Sequence, residues 1–160
     1  MTRKKPWNRV NLPVYSVASK AGNRFNLHIC TYASAISMHP KRFIVCIYKG
    51  TQTLENILHH PEFVLQVMGA SQYKLVNLLG KKTGRKTDKV RLLEKRMELK
   101  EWEGFKILAN CLAVVLLQVI HQLDGGDHIC FVCEVKGWKN LHDGIALDLD
   151  ELRKQGIVSI

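Results

Sequence analysis

Apolar and β-branched residues come in short runs separated by turn signals. Segments 13–19, 24–30, 42–48, 62–68, 111–123 and 128–138 are rich in Val, Ile, Leu, Phe and Tyr, the composition of half-buried strands. Ala21-Gly-Asn-Arg24 and Asp124-Gly-Gly-Asp127 read as hairpin turns, because Gly and Asn accept the positive φ such turns demand. The run 112–120 is apolar at successive positions, which suits a strand covered on both faces or a subunit contact. A helix is the rival reading of that run, opposed only by its hairpin to the next strand.

Helical periodicity is sparser. Over 53–60, Leu54, Ile57 and Leu58 share one face, and over 72–79, Leu75, Val76, Leu78 and Leu79 recur at helical spacing. From Gly80 to Glu103 the chain is strongly charged and predicts a mobile loop followed by a short helix over 89–99. The tail 147–155 reads as a short terminal helix or an exposed arm. Hairpins, a crossover helix and two long antiparallel strands predict a mainly β chain, an antiparallel barrel with helices plugging its ends. The length of 160 residues fits one domain, with no internal repeat or linker, and a ligand of such a narrow barrel would lie on its rim or between two copies.

Charge adds a question of partners. Residues 1–9 carry Arg3, Lys4, Lys5 and Arg9 with no acid, and residues 81–100 carry nine Lys or Arg against Asp88, Glu94 and Glu98; together they account for the formal +10. Residues 81–100 carry no aromatic residue for base stacking and residues 1–9 carry Trp7 alone, so a solvated basic loop that attracts anionic cofactors is preferred to a nucleic-acid surface. No apolar run approaches the ~20 residues of a membrane helix, and the basic start leads into mixed sequence, so the expected location is cytoplasmic. The five cysteines, at 30, 46, 111, 130 and 133, sit in strand-like segments and suggest reduced thiols. Cys130 and Cys133 would face opposite ways on a strand, roughly 10 Å apart, which excludes a shared metal unless the segment is a loop.

Three segments carry candidate chemistry. Residues 26–40 pass from a strand into an irregular stretch with Thr31, Ser34 and Ser37, where small residues leave backbone N–H groups open to a flat polar-edged ring; a loop satisfying its own backbone is the equal alternative. Residues 46–56 end a strand, turn at Gly50 and open a helix, so amides near Thr51 and Thr53, with Lys49 beside them, make a phosphate seat. Plain N-capping by either threonine is the alternative. Gly80-Lys-Lys-Thr-Gly-Arg-Lys-Thr87 fails as a nucleotide loop, having three residues between its glycines and Arg85 in place of the lysine. In Gly126-Asp127-His128 the paired glycines allow close approach and Asp127 can orient the imidazole, whereas His28, His39, His59, His60, His121 and His142 read as structural.

Taken together, these motifs resemble the flavin reductase-like, FMN-binding split-barrel family, from about residue 13 to residue 135. The resemblance rests on 31–37 ending in Pro40, Thr51-x-Thr53-x-x-Asn56-Ile57, Glu62-Phe63-Val64, Asp88-Lys89, residues 108–113 and, most specifically, Gly-Asp-His-x-x-Phe-Val-x-Glu-Val ending at Val135. Cys133 stands where a glycine is usual, and the basic 81–100 segment also departs from the pattern.

The resemblance implies a homodimer binding FMN near its interface and reduced by NADH or NADPH. Electrons would pass to free flavin, ferric complexes or a partner oxygenase; the alternative is a flavin carrier of the same fold. By position, Thr31, Tyr32, Ala33 and Ser34 would meet the ring; Thr51, Gln52 and Thr53, helped by Lys49 or Lys89, would take the phosphate. Cys46 and His128 would lie beside the ring and the nicotinamide, His128 as an orienting group.

Overall fold

Val17 and Ala18 are neighbours in sequence and both are buried, yet they belong to different hydrophobic cores. Side chains alternate across a strand, so the sheet that carries them is covered on both faces. The structure, a computed structural model, describes residues 4–160; Met1 to Arg3, the start of the basic amino-terminal segment, lie outside the described residues. It contains β1 (Tyr15–Ala21), β2 (Arg24–Cys30), β3 (Ala33–Ser37), β4 (Arg42–Tyr48), α1 (Gln52–His59), β5 (Glu62–Val67), α2 (Val76–Lys81), α3 (Lys89–Lys95), β6 (Leu99–Trp102), β7 (Phe105–Leu108), β8 (Ala113–Asp124), β9 (His128–Asn140) and α4 (Leu149–Lys154).

Seven strands form one antiparallel sheet in the order β2-β1-β5-β8-β9-β4-β3, and β6 pairs with β7 as a separate hairpin. One core gathers Val17, Phe63, Leu65, Leu117 and Phe131 with Leu54 and Ile57 of α1. The other packs Ala18, Val64, Val114 and Leu116 against α2, α3, α4 and the β6–β7 hairpin. Each such aliphatic or aromatic side chain contributes about 1.5–3 kcal/mol when fully buried. The apolar run 112–120 is thereby explained as a strand serving two cores. The sheet also curls: β2, at one end of the strand order, comes beside β4 near the other, where the Cys30 thiol donates to the Cys46 carbonyl at 3.6 Å.

The two expected hairpin turns are present. Gly22 adopts φ +58° between β1 and β2, and Gly126 adopts φ +105° between β8 and β9. Three elements differ from the sequence reading. The stretch 31–37 is not irregular throughout, because Ala33–Ser37 pairs with β4 as an edge strand. The helix over 89–99 stops at Lys95: Met97 turns into the left-handed region, its N–H donating to Glu94 O at 2.9 Å and that of Glu98 to Leu93 O at 3.0 Å, which closes the helix carboxyl end. The chain then enters the unanticipated β6–β7 hairpin through Glu103 and Gly104, both at positive φ. The helix over 72–79 begins as a 3-10 turn, Ala70–Leu75, and becomes α-helical only from Val76. Among the described residues no helix is long and apolar enough to cross a membrane.

Candidate functional site

The site begins where β4 hands over to α1. Gly50, at φ +84°, turns the chain, and Thr51 caps the helix: its hydroxyl accepts from Leu54 N at 3.2 Å and donates to Tyr48 O at 2.9 Å. By position, the amides of Gln52 and Thr53 have no intrahelical acceptor. Facing this helix start is the segment after α2. Together they enclose a cavity of about 240 Å³ lined by Asn26, His28, Tyr48, Gly50, Thr51, Gln52, residues 80–84 and Lys89. Three lysines, two threonines and a helix amino end make its chemistry that of an anion seat.

A second cavity, about 260 Å³, adjoins it and is lined by His28, Ile29, Cys30, Thr31, Tyr32, Cys46, Tyr48 and His128. His28 and Tyr48 stand in the walls of both. The imidazole of His128 packs against Tyr32 with ring centroids 5.1 Å apart and against the edge of Tyr48 at 5.4 Å. Its Nδ1 lies 2.6 Å from Asp127 Oδ1, so the carboxylate holds the proton on Nδ1 and leaves Nε2 as the other polar atom. Burial, with Lys89 and His128 adding positive charge nearby, pushes His28 down to about 4; it is neutral at physiological pH.

Thr31, Tyr32, Cys46 and His128 thus share one cavity, and Thr51, Gln52 and Lys89 line the other. Several expected side chains do not reach either. Lys49 is drawn to the β8–β9 turn, its amine 2.8 Å from Asp124 Oδ2. Thr53 is fully buried, with its hydroxyl accepting from Asn26 Nδ2 at 2.9 Å. Ala33 packs against the core containing Phe131, and the Ser34 hydroxyl donates to Ala35 O.

Gln52 turns inward, donating to Asn56 Oδ1 at 2.8 Å and leaving Oε1 buried without a partner. That orphan is an acceptor, so it suits a ligand hydroxyl or N–H and not a phosphate oxygen. Lys89 is only 2% exposed and donates to Leu79 O at 2.7 Å, where α2 runs out of donors for its carbonyls, and to Leu27 O at 3.2 Å. Burial pushes its amine down to about 8.

Sequence reasoning missed His28, Tyr48, Lys81, Lys82 and Thr83. One signal was present: Asn26, His28 and Cys30 alternate along β2, so they share a face that the strand presents away from the Leu27 core. A larger cavity, about 830 Å³, lies beyond the 84–91 segment and is lined by Arg24, Arg85, Lys86, Arg91 and Lys106 among others, sharing Asn26, Gly84 and Lys89 with the anion seat. Two of its cations are neutralised, Arg85 by Glu55 and Lys106 by Glu94. Among the described residues no group of three or more His, Cys, Asp or Glu side chains converges as a metal site.

The chain is thus a small, mainly antiparallel β protein with an aromatic-walled cavity adjoining one whose lining suits an anion. The family model that matches is the flavin reductase like domain, over residues 7–148, and the chain belongs to that family. No curated protein matches the chain in sequence.

Solved structures share the fold. The FMN-binding protein of Thermus thermophilus, solved with 1-cyclohex-2-enone bound, is 22% identical, with a TM-score of 0.75 over 88% of this chain and 78% of its own. BorF, the flavin reductase component of a bacterial two-component tryptophan halogenase, is 20% identical with a TM-score of 0.77 over 89% and 88%. An NADH:FAD oxidoreductase of Streptomyces globisporus C-1027 is 18% identical with a TM-score of 0.74 over 88% and 87%.

Proposed function

We propose that the chain is an FMN-dependent oxidoreductase that takes hydride from NADH or NADPH and passes electrons to free flavin, a ferric complex or a partner oxygenase. The observation that carries this reading is the pair of adjoining cavities with the shared wall of His28 and Tyr48, one lined by aromatic rings and the other by a helix amino end and three lysines. FMN has that shape and that division of chemistry. Thr51, the amides of Gln52 and Thr53, Lys81 and Lys82 would hold the phosphate; Thr31, Tyr32, Cys46 and His128 would meet the ring, and Gln52 Oε1 would accept from a ribityl hydroxyl. Bound FMN supplies the two-electron acceptor.

The protein's own part is placement. Asp127 fixes the His128 ring, Tyr32 and Tyr48 hem it in, and neutral His28 adds no charge to the wall. Donors fixed toward the ring are what stabilise the anionic reduced flavin, and His128 acts there as an orienting group. The sheet would close as a split barrel and pair with a second copy, with exposed Ile36 on the β3 edge and Met38 just after it available for burial. A cytoplasmic location fits this chemistry.

The test is an anaerobic titration of purified protein. Yellow protein that bleaches with NADH or NADPH supports the reading; yellow protein that neither bleaches identifies a flavin carrier, and colourless protein that takes up no FMN refutes both. The basic 81–86 segment would favour the extra phosphate of NADPH. Comparable rates with both nicotinamides, unchanged on neutralising Lys81, Lys82, Arg85 and Lys86, would remove that preference.

A further inference from the structure

We propose that Cys46 and Cys130 form a redox-active cross-strand pair that closes reversibly to a disulfide beside His128. The two residues are direct partners in the register of β4 and β9. Cys46 N donates to Tyr32 O at 2.8 Å, so the backbone groups of Cys46 face β3 and away from β9. The Cys46–Cys130 position is therefore of the kind without mutual backbone bonds, where Cα atoms approach to about 4.5 Å and side chains lie closest. That separation falls near the short end of the range a disulfide spans, which favours a bridge that is readily reduced again.

The sulfurs themselves are 3.2 Å apart, with the Cys46 thiol donating to Cys130. Both residues are half-buried, while Cys30, Cys111 and Cys133 are buried. Gly125 supplies the room: a Cβ there would stand 2.6 Å from Cys130 Sγ. Cys46 also lines the cavity shared with Tyr32, Tyr48 and His128, so the sulfur pair borders that cavity, and the partial exposure of Cys130 gives a small reagent its way in. Cys133 cannot compete, because it belongs to the core on the opposite face of β9 from Cys130.

The oxidant is a low-molecular-weight disulfide such as oxidised glutathione. The Cys46 thiol donates to the Cys130 sulfur, and burial with that neighbouring sulfur pushes Cys46 up to about 12, so Cys46 keeps its proton and Cys130 attacks first. Cys130 gives its proton to solvent and attacks as the thiolate; the reagent S–S bond breaks, a mixed disulfide forms on Cys130, and one thiolate is released and protonated by solvent. Cys46 sulfur then attacks Cys130 sulfur, the mixed bond breaks, and the second thiol leaves with the Cys46 proton. Two protein thiols are oxidised and one reagent disulfide is reduced to two thiols. The pair needs no bound flavin and stands whether or not the flavin reading does.

The test equilibrates the full chain in glutathione buffers of graded ratio, quenches with acid, alkylates and maps the peptides. The expected result is the loss of two free thiols as a Cys46–Cys130 bridge that reduced glutathione reverses. Cys46→Ser should accumulate a glutathione adduct on Cys130, about tenfold more than Cys130→Ser accumulates on Cys46. Absence of any bridge in the wild-type chain at every ratio, or a bridge that uses Cys30 instead, would overturn the proposal. Equal adduct yields in the two variants would overturn the assigned order of attack.

Discussion

Replacing Lys89 with Met gives a sharp test of how the core and the anion seat are linked. The amine is buried against two carbonyls, and its proton is lost in the folded chain at about pH 8 against 10.5 for an ordinary lysine. Because the folded value is the lower one, the unfolded chain binds the extra proton between these limits. Stability is therefore reduced below pH 8 and rises as pH increases from 8 to 10.5. At 1.4 kcal/mol per unit, the difference corresponds to about 3 kcal/mol across the window.

Lys89→Met removes the titration. At pH 7 the relief of burying a charge is offset by two carbonyls left without donors, about 1–3 kcal/mol each, so the net change there is small. The slope carries the argument. Urea unfolding of both proteins at intervals from pH 7 to 10.5 should show wild type gaining about 3 kcal/mol relative to the variant. A difference that stays flat with pH would refute the account of Lys89 as a strained buried cation. If a phosphate occupies the seat that Lys89 helps to line, ligand binding also takes up a proton above pH 8, and FMN affinity in the wild type should weaken as pH climbs.

Three further outcomes are expected. Gly84→Ala would push a methyl to 2.2 Å from Asn26 Oδ1 and disrupt the Asn26–Thr53 bond; a loss of about 1–3 kcal/mol by thermal unfolding is expected, and wild-type stability would contradict the packing. Thr51→Ala removes the helix cap for a cost of about 1 kcal/mol and should also weaken FMN binding in a fluorescence titration, so stability loss with unchanged affinity would place the phosphate elsewhere. His28 takes up its proton at about 4 in the folded chain against 6.5 ordinarily, so stability present above pH 6.5 should be lost as pH falls toward 4. His28→Phe should flatten that acid limb, and an unchanged limb would assign it to other groups.

The legible parts of the fold were those where side-chain pattern and backbone need coincide. The bounds of β2 and β4 match the runs 24–30 and 42–48 because β-branched and aromatic residues fill them between clear turns. β3 was hidden because Ala33, Ser34, Ala35 and Ser37 have little strand preference; its partner β4 holds it by backbone bonds. The β6–β7 hairpin was masked by Lys100 and Glu101, charges within the segment read as a loop and short helix, yet both are exposed on a ribbon whose second strand buries Phe105, Ile107 and Leu108.

At the site, Thr31, Tyr32, Cys46, Thr51 and His128 were legible, through the family resemblance, as residues that line the two cavities. Lys49 was not, because only the folded β8–β9 turn brings Asp124 within its reach. Lys81 and Lys82 approach Thr51 through the packing of α2, and Lys89 is taken inward to cap that same helix, neither of which leaves a local trace in sequence.

The common wall of His28 and Tyr48 also constrains how such a protein can diversify. With one pair of side chains walling both cavities, and FMN seated as proposed, an exchange at Tyr48 that alters electron affinity at the ring would simultaneously alter anchorage at the tail. Variation free of that conflict is confined to the outer rims, and the unusually cationic 81–86 stretch is such a rim.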